Sequence, residues 1–232
     1  MPSRVTVLLD TSASPLLLAV EKDGRLFSSR RKGIKQEKLR FPVLQRLLRR
    51  AGASLQEVTH IFLVRGPGRF TGIRIALTFA SMMQLLNKTQ VRGATLFEIL
   101  RAQALASRAY QTWHKQYPSG VLAVVLHAFR EEYFLQIFDT DTSAPQWLSW
   151  EELRTRVAAQ AQTAPLFVVG TDSDFTPLAD VLAGISCMLA PFTMCRVRPQ
   201  TLAALAQQDR WAQQALEPLY LKPARFELEA PK

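Results

Sequence analysis

The sequence predicts a mixed α/β protein, and two observations support this. Short apolar runs typical of buried strands alternate with segments whose apolar residues recur every three or four positions, as in amphipathic helices. The order of three strands, a helix, a strand and a helix also occurs twice along the 232 residues. That repeated order is consistent with two ribonuclease-H-like lobes, whereas periodicity alone supports only a mixed α/β class.

The first half contains the clearer copy of this order. Its predicted strands are 5–9, 16–21, 26–29 and 60–64, and its predicted helices are 36–51, 71–87 and 95–110. Lys22 to Arg25 predicts a hairpin turn between the second and third strands. Pro42 predicts that the first helix starts near Phe41 or kinks there, and Gly52 is expected to end it.

The second half repeats the order more loosely. Its predicted strands are 121–126, 132–138 and 166–170, and its predicted helices are 149–161, 177–182 and 200–208. Pro118, Ser119 and Gly120 form the best candidate boundary. We therefore expect one lobe over 1–117 and a second over 118–232.

The composition is that of a globular protein, with 48% hydrophobic and 21% charged residues. No apolar run is long enough to span a bilayer, and the start of the chain lacks a secretory pattern, so we expect a cytoplasmic protein with no membrane contact. Cys187 and Cys195 lack metal-ligand spacing and are expected to be free thiols.

The charge is less ordinary. The net charge is +10, and between Arg25 and Arg50 a single acid, Glu37, stands among ten bases. We call residues 25–50 the basic stripe. Such a segment is either a solvated basic face or a surface for phosphate backbones or an acidic protein. It lacks the interleaved aromatic residues of a single-strand-binding platform.

A glycine-rich turn joins the predicted strand 60–64 to the helix 71–87. Gly66, Gly68 and Gly72 allow positive φ angles and close approach, and Thr71 is expected to cap the helix. A strand, a glycine turn and a helix N-terminus often bind an anion. The spacing is neither the dinucleotide fingerprint nor a P-loop, so a purely structural turn and an anion site both stay open.

This turn also carries a family resemblance. The string GPGRFTGIRIA at 66–76 resembles the GPGSFTGLRIG signature of the TsaB (YeaZ) family, with Arg69 where that family usually has serine. Three further stretches agree in order: 7–12 is similar to the family's A-I-D-T-S, 92–96 to its G-V-S-S-L and 218–222 to its P-x-Y-L-R. These matches span nearly the whole chain.

The resemblance implies a fold of two ribonuclease-H-like lobes in the actin/sugar-kinase (ASKHA) superfamily. It also implies an accessory subunit of the bacterial machinery that makes N6-threonylcarbamoyladenosine (t6A) at position 37 of tRNA. Such a subunit binds and activates TsaD, a paralogue that performs the carbamoyl transfer, as a heterodimer. A homodimer in the absence of TsaD stays open, a TsaE-like ATPase joins the wider complex, and no cofactor is expected.

The resemblance further implies that two helices, the one over 36–51 and the one over 71–87, form a four-helix bundle with the partner. Core packing is the alternative for their apolar stripes. The expected partner-binding residues are Leu44, Leu48, Gly72, Ile73, Ala76, Leu77 and Ala80. The candidate tRNA contacts in the basic stripe are Arg30, Arg31, Lys32 and Lys35.

Active ASKHA proteins hold Mg-nucleotide phosphates with an aspartate where Asp10 stands here, followed by hydroxyls such as Thr11 and Ser12. Those three residues, with Gly66, Gly68 and Thr71, are therefore the candidate nucleotide or anion site; a capped turn is the alternative. The family often has D-A-R after the equivalent strand of the second lobe. Here His127 stands in place of that aspartate, and neutral imidazole does not replace a carboxylate on magnesium.

The three histidines of the chain show no metal-binding spacing, and no nucleophile motif is present. We therefore expect no catalytic residue, no metal and no enzyme activity. Two alternatives remain. One is a divergent ATP-dependent phosphotransferase that uses Asp10 and the turn 66–72. The other is a tRNA-binding module that uses the basic stripe.

Overall fold

The computed structural model describes residues 4–31, 36–139, 143–171, 176–209 and 217–222. It divides into two compact units. Unit 1 comprises Met1–Ile99 with Val197–Leu219, and unit 2 comprises Leu100–Arg196 with Tyr220–Lys232. Each unit contains a five-stranded sheet.

The sheet of unit 1 has the order β3-β2-β1-β4-β5. Its strands are β1 (Val5–Asp10), β2 (Leu16–Lys22), β3 (Arg25–Arg31), β4 (His60–Val64) and β5 (Gln90–Ala94). The first three strands are antiparallel neighbours, while β4 and β5 run parallel to β1. Three antiparallel strands followed by two parallel ones are the pattern of a ribonuclease-H-like lobe.

Helices α1 (Gln36–Arg50) and α2 (Phe70–Asn87) pack against the same face of this sheet. One apolar cluster joins side chains from both helices to alternate residues of β1, β2 and β4. Pro42 lies inside α1. A third helix, α3 (Leu96–Leu105), crosses the boundary between the units.

Unit 2 repeats the strand pattern of unit 1, with the order β10-β9-β6-β7-β8. Its strands are β6 (Val121–Phe129), β7 (Glu132–Phe138), β8 (Gln146–Ser149), β9 (Leu166–Gly170) and β10 (Met188–Leu189). The β6, β7 and β8 strands are antiparallel neighbours, and β9 and β10 are parallel to β6. The predicted α/β class with two ribonuclease-H-like lobes is confirmed.

The helices of unit 2 are α4 (Arg108–Gln116), α5 (Trp150–Thr163) and α6 (Leu178–Val181). The single helix predicted over 95–110 is two helices, α3 and α4. The break occurs because Ser107 caps α4, its hydroxyl accepting a hydrogen bond from the Tyr110 amide at 3.1 Å. In the described part of the chain, no helix combines the length and apolarity needed to cross a membrane.

The lobes expected over 1–117 and 118–232 differ from the two units in two places. Residues 100–117 group with unit 2, where the Tyr110 and Trp113 rings of α4 contact Phe167 of β9. Residues 197–219 return to unit 1. Their helix α7 (Pro199–Ala206) is tied to β1 through the guanidinium of Arg4, which donates to the Ala206 carbonyl at 2.9 Å.

The residues expected to bind a partner lie mostly in the core of unit 1. Ala76 is 3% exposed and Ala80 is 0% exposed. The other five expected contact residues are also shielded from solvent. Leu44, Leu48, Gly72 and Ile73 are buried, and Leu77 is half-buried. The small residues bring α2 close to its own sheet, so core packing accounts for the burial of this stripe. A role of these residues in partner binding stays a prediction.

This burial predicts the effect of a charge at position 80. We expect Ala80→Arg to unfold the protein, because an unpaired guanidinium would enter the core at a cost of several kcal/mol. The matched control is Ser81→Arg, since Ser81 is exposed on the same helix. Thermal denaturation should show a large fall in melting temperature for Ala80→Arg and little change for Ser81→Arg. Equal melting temperatures would contradict the packing of α2 on the sheet.

Candidate functional site

The glycine turn 66–72 packs directly against the turn 10–12 that follows β1. The amide of Arg69 donates to the carbonyl of Ser12 at 2.7 Å. A Cβ on Gly68 would lie 2.3 Å from that same carbonyl oxygen, and Gly68 has a φ of +156°. Glycine is required here because the two backbones touch.

A second contact of the same kind lies four residues further along, at the start of α2. The hydroxyl of Thr11 donates to the carbonyl of Gly72 at 2.9 Å. A Cβ on Gly72 would lie 2.1 Å from the Thr11 carbonyl oxygen. The two turns are therefore joined by hydrogen bonds at Arg69 and at Gly72, with no room for a side chain between them.

The third glycine meets the segment 217–219, which returns to unit 1. A Cβ on Gly66, whose φ is +122°, would lie 2.7 Å from the carbonyl oxygen of Leu219. The Leu219 amide donates to the Arg65 carbonyl at 2.9 Å, and the Arg65 guanidinium donates to the Glu217 carbonyl at 3.2 Å. The stretches that resemble the family at 7–12, 66–76 and 218–222 thus contact one another in part.

The carboxylate of Asp10 is closed to solvent, being 4% exposed. Its Oδ1 accepts hydrogen bonds from the Ser12 amide at 3.1 Å and from the Ser12 hydroxyl at 2.6 Å. Burial raises the pKa of Asp10 above its ordinary value, while the Ser12 hydrogen bonds and the charge of Arg30 act in the opposite direction. In this state Asp10 stabilises its own turn, as the capped-turn alternative predicted.

The start of α2 differs from the expectation. Arg69, not Thr71, is the N-cap residue, and no side chain caps the helix there. Thr71 lies one residue inside the helix and is exposed. Because Gly66, Gly68 and Gly72 contact backbone carbonyls, the close approach that they permit serves the chain itself. That the glycine turn also binds an anion stays a prediction.

His127 is also held within its own turn. Its backbone amide donates to the Thr171 hydroxyl at 3.0 Å, and its ring Nε2 lies 2.8 Å from the Arg130 carbonyl oxygen. Among the described residues, no group of three or more histidine, cysteine, aspartate or glutamate side chains could hold a metal ion.

The candidate tRNA contacts have unequal environments. The Arg30 guanidinium donates to the Val197 carbonyl, so this side chain fastens the returning segment of unit 1. Arg31, at the end of β3, is exposed. Lys32 and Lys35 lie outside the described residues. That the basic stripe contacts tRNA stays a prediction.

Among the described residues, the two most exposed large apolar side chains lie near the end of α2, one of the two helices that the resemblance assigned to a partner, but at positions that the sequence analysis did not select. Leu85 is 82% exposed and Leu86 is 69% exposed. Phe41, Phe70 and Met82 are exposed as well. We call these five residues the apolar face. The sequence signal for it was available, because Arg74 is the only charged residue among the 18 residues of α2.

Comparison with known proteins gives three findings. The family model described as "TsaD: tRNA N6-adenosine threonylcarbamoyltransferase" matches residues 36–135. The chain is 25% identical over 141 residues to the tRNA threonylcarbamoyladenosine biosynthesis protein TsaB of Buchnera aphidicola subsp. Schizaphis graminum, covering 60% of this chain and 63% of that protein. It is 27% identical over 129 residues to TsaB of Escherichia coli, covering 55% of this chain and 52% of that protein.

Two solved structures resemble the whole chain. YeaZ from Pseudomonas aeruginosa aligns with a TM-score of 0.66 at 22% identity, covering 94% of this chain and 100% of that one. A protein described as similar to peptidase YEAZ from Pseudomonas aeruginosa aligns with a TM-score of 0.60 at 23% identity, with the same coverage. These similarities establish the fold.

The two sheets define an α/β fold with two ribonuclease-H-like units, the fold that the chain shares with YeaZ from Pseudomonas aeruginosa. Within that fold, the named relatives and the glycine motif make the chain similar to TsaB/YeaZ proteins. The family resemblance predicted from the sequence is confirmed. The aligned region spans 63% and 52% of the length of the two curated relatives.

The contact between the two turns predicts a large cost for Gly68→Ala. The added Cβ would overlap the Ser12 carbonyl, so we expect the free energy of unfolding to fall by about 3 kcal/mol or more. The control is Gly24→Ala, where φ is +73° but nothing lies within 4 Å. That change should cost only about 1 kcal/mol, since it adds backbone strain without a clash. Urea denaturation measures both, and equal losses would contradict the close contact.

The burial of Asp10 predicts a pH dependence. Because its pKa in the folded chain is raised above the ordinary 3.8, its contribution to stability is full below that value and is lost as the pH rises through the folded pKa. Asp10→Asn does not ionise and can still accept from Ser12. Relative to the wild type, the variant should therefore gain free energy of unfolding as the pH rises. Urea denaturation at a series of pH values should reveal this trend, and a constant difference would refute it.

Proposed function

We propose that this chain is a non-catalytic subunit in t6A biosynthesis, which binds a TsaD-like paralogue as a heterodimer and activates it. The relatives named TsaB support a role in this pathway. The observation that carries the proposal is the apolar face of α1 and α2. Exposed apolar patches of this kind mark interaction sites in soluble proteins.

Both helices cover the same side of one sheet. Val43, Leu44 and Leu47 of α1 and Met83 of α2 point into the shared core, so the outer sides of the two helices turn away from it together. A partner that presents two helices of its own would complete a four-helix bundle over this surface.

The geometry of unit 1 favours a binding role over catalysis. Asp10 is buried and bonded to Ser12. In unit 2, His127 stands at the sequence position where the TsaB family often has an aspartate. A divergent phosphotransferase would need a carboxylate that reaches hydrated magnesium. The buried Asp10 offers its Oδ1 to its own turn instead, which weighs against that alternative.

The remaining parts of the proposal concern the wider assembly. A TsaE-like ATPase would join the complex in the cytoplasm, and tRNA would be held mainly by the paralogue. Arg31 and its neighbours in the basic stripe would add affinity without reading sequence, because phosphate contacts position a nucleic acid and do not specify it.

The proposal predicts that Leu85→Asp prevents the complex without unfolding the chain. Leu85 is 82% exposed, so its loss should leave the melting temperature unchanged, whereas a buried carboxylate at the interface should weaken binding at least tenfold. The control is Leu105→Asp, at an exposed leucine of α3.

Two measurements test this prediction. Calorimetry or surface plasmon resonance with the purified TsaD-like paralogue of the same organism reports binding. The t6A content of tRNA in a host that lacks the native gene reports function. A Leu85→Asp variant that binds and complements as well as Leu105→Asp would remove the face from the proposal.

A further inference from the structure

The two helices and their connections are almost free of acidic residues. Between positions 41 and 94, Glu57 is the single acid. Its Oε2 accepts hydrogen bonds from the Ser54 amide and the Ser54 hydroxyl, both at 2.7 Å. The basic residues of this stretch are Arg46, Arg49, Arg50, Arg65, Arg69, Arg74, Lys88 and Arg92. Any surface formed here carries positive charge.

Four of these charges are exposed on the two helices that carry the apolar face. On α1, Arg46, Arg49 and Arg50 are exposed, and on α2 the exposed Arg74 lies two and three helical turns before Met82 and Leu85 on the same side. The Arg74 guanidinium stacks at 4.4 Å from the centroid of the Phe70 ring. We call the four arginines the basic border.

In the described part of the chain, no ion pair with a carboxylate is formed by Arg46, Arg49, Arg50 or Arg74. The Arg50 guanidinium instead lies 5.6 Å from the centroid of the Phe27 ring. These charges are therefore available to an interface, and their sign selects the surface that can approach.

A second copy of the chain meets an electrostatic obstacle at this face. A symmetric dimer brings the same patch of both copies together, so the four arginines of one copy would face those of the other. Like charges held together at an interface suppress association, whereas opposite charges steer the encounter and fix the register.

We propose that the basic border makes this face selective for a partner whose apolar contact surface is bordered by acidic residues, and disfavours a second copy of the chain. The inference rests on the proposed function, because it specifies the chemistry of the paralogue's docking surface. The charge distinguishes a partner with an acidic border from a second copy of the chain, whereas the apolar residues alone would bind either.

The experiment compares two charge-matched variants of the full chain. The face variant carries Arg46→Gln, Arg49→Gln and Arg74→Gln. The control carries Arg108→Gln, Lys115→Gln and Arg156→Gln, at three exposed positions of unit 2. Both lose three positive charges, so a difference between them reports where the charges lie and not how many there are.

The association rate with the purified TsaD-like paralogue and self-association by sedimentation are measured over a range of NaCl concentrations. For the wild type and the control, we expect hetero-association to slow about tenfold or more as salt rises, and self-association to strengthen. The face variant should bind the paralogue about tenfold more slowly at low salt, with a weak salt dependence, and should self-associate more strongly.

The possible failures are distinguishable. If all three proteins bind the paralogue with the same rates and salt dependence, the charge inference is overturned while the proposed function stands. If the face variant self-associates no more than the control at any salt concentration, the selection against a second copy is overturned. If the wild type forms no complex with the paralogue, the proposed function fails, and this inference with it.

Discussion

The structure of unit 1 depends on one contact between two backbone turns. The carbonyls of Thr11 and Ser12 occupy the positions that side chains on Gly72 and Gly68 would need. This contact fixes the start of α2 against the end of β1. Since α2 leaves the turn in a fixed direction, Ile73, Ala76, Ala80 and Met83 are buried while Met82, Leu85 and Leu86 remain exposed. The glycine motif therefore positions the proposed docking face without belonging to it.

The same contact limits the chemistry of the strand end. Asp10 stands where related folds place a phosphate-handling aspartate, but here it is buried and holds Ser12. The two turns contact each other directly at Gly68 and Gly72, so the glycine turn serves internal packing. Under the proposed function, the chain acts by presenting the outer side of α2 to a partner.

Much of the fold was predictable from the sequence because strand and helix periodicities were clear. The strand His60–Val64 and the helix after the glycine turn were predicted correctly, whereas the edge strands Gln90–Ala94 and Met188–Leu189 were not predicted. The short strand Gln146–Ser149 was missed, since four residues with two exposed ends give little periodic signal. The break at Ser107 was also missed, because a capping hydroxyl inside an apolar pattern resembles an ordinary helix position.

The sequence by itself determined that glycines, an aspartate and two hydroxyl residues would lie at turns after strands, and that α2 would carry a single charge. Only the tertiary structure decided which side of α2 is buried. A helix that is apolar nearly all round has no distinctive face, so periodicity could not separate Ala76 and Ala80 from Met82 and Leu85. Tertiary structure also returned residues 197–219 to unit 1, because their contacts with β1 and the glycine turn are distant along the chain.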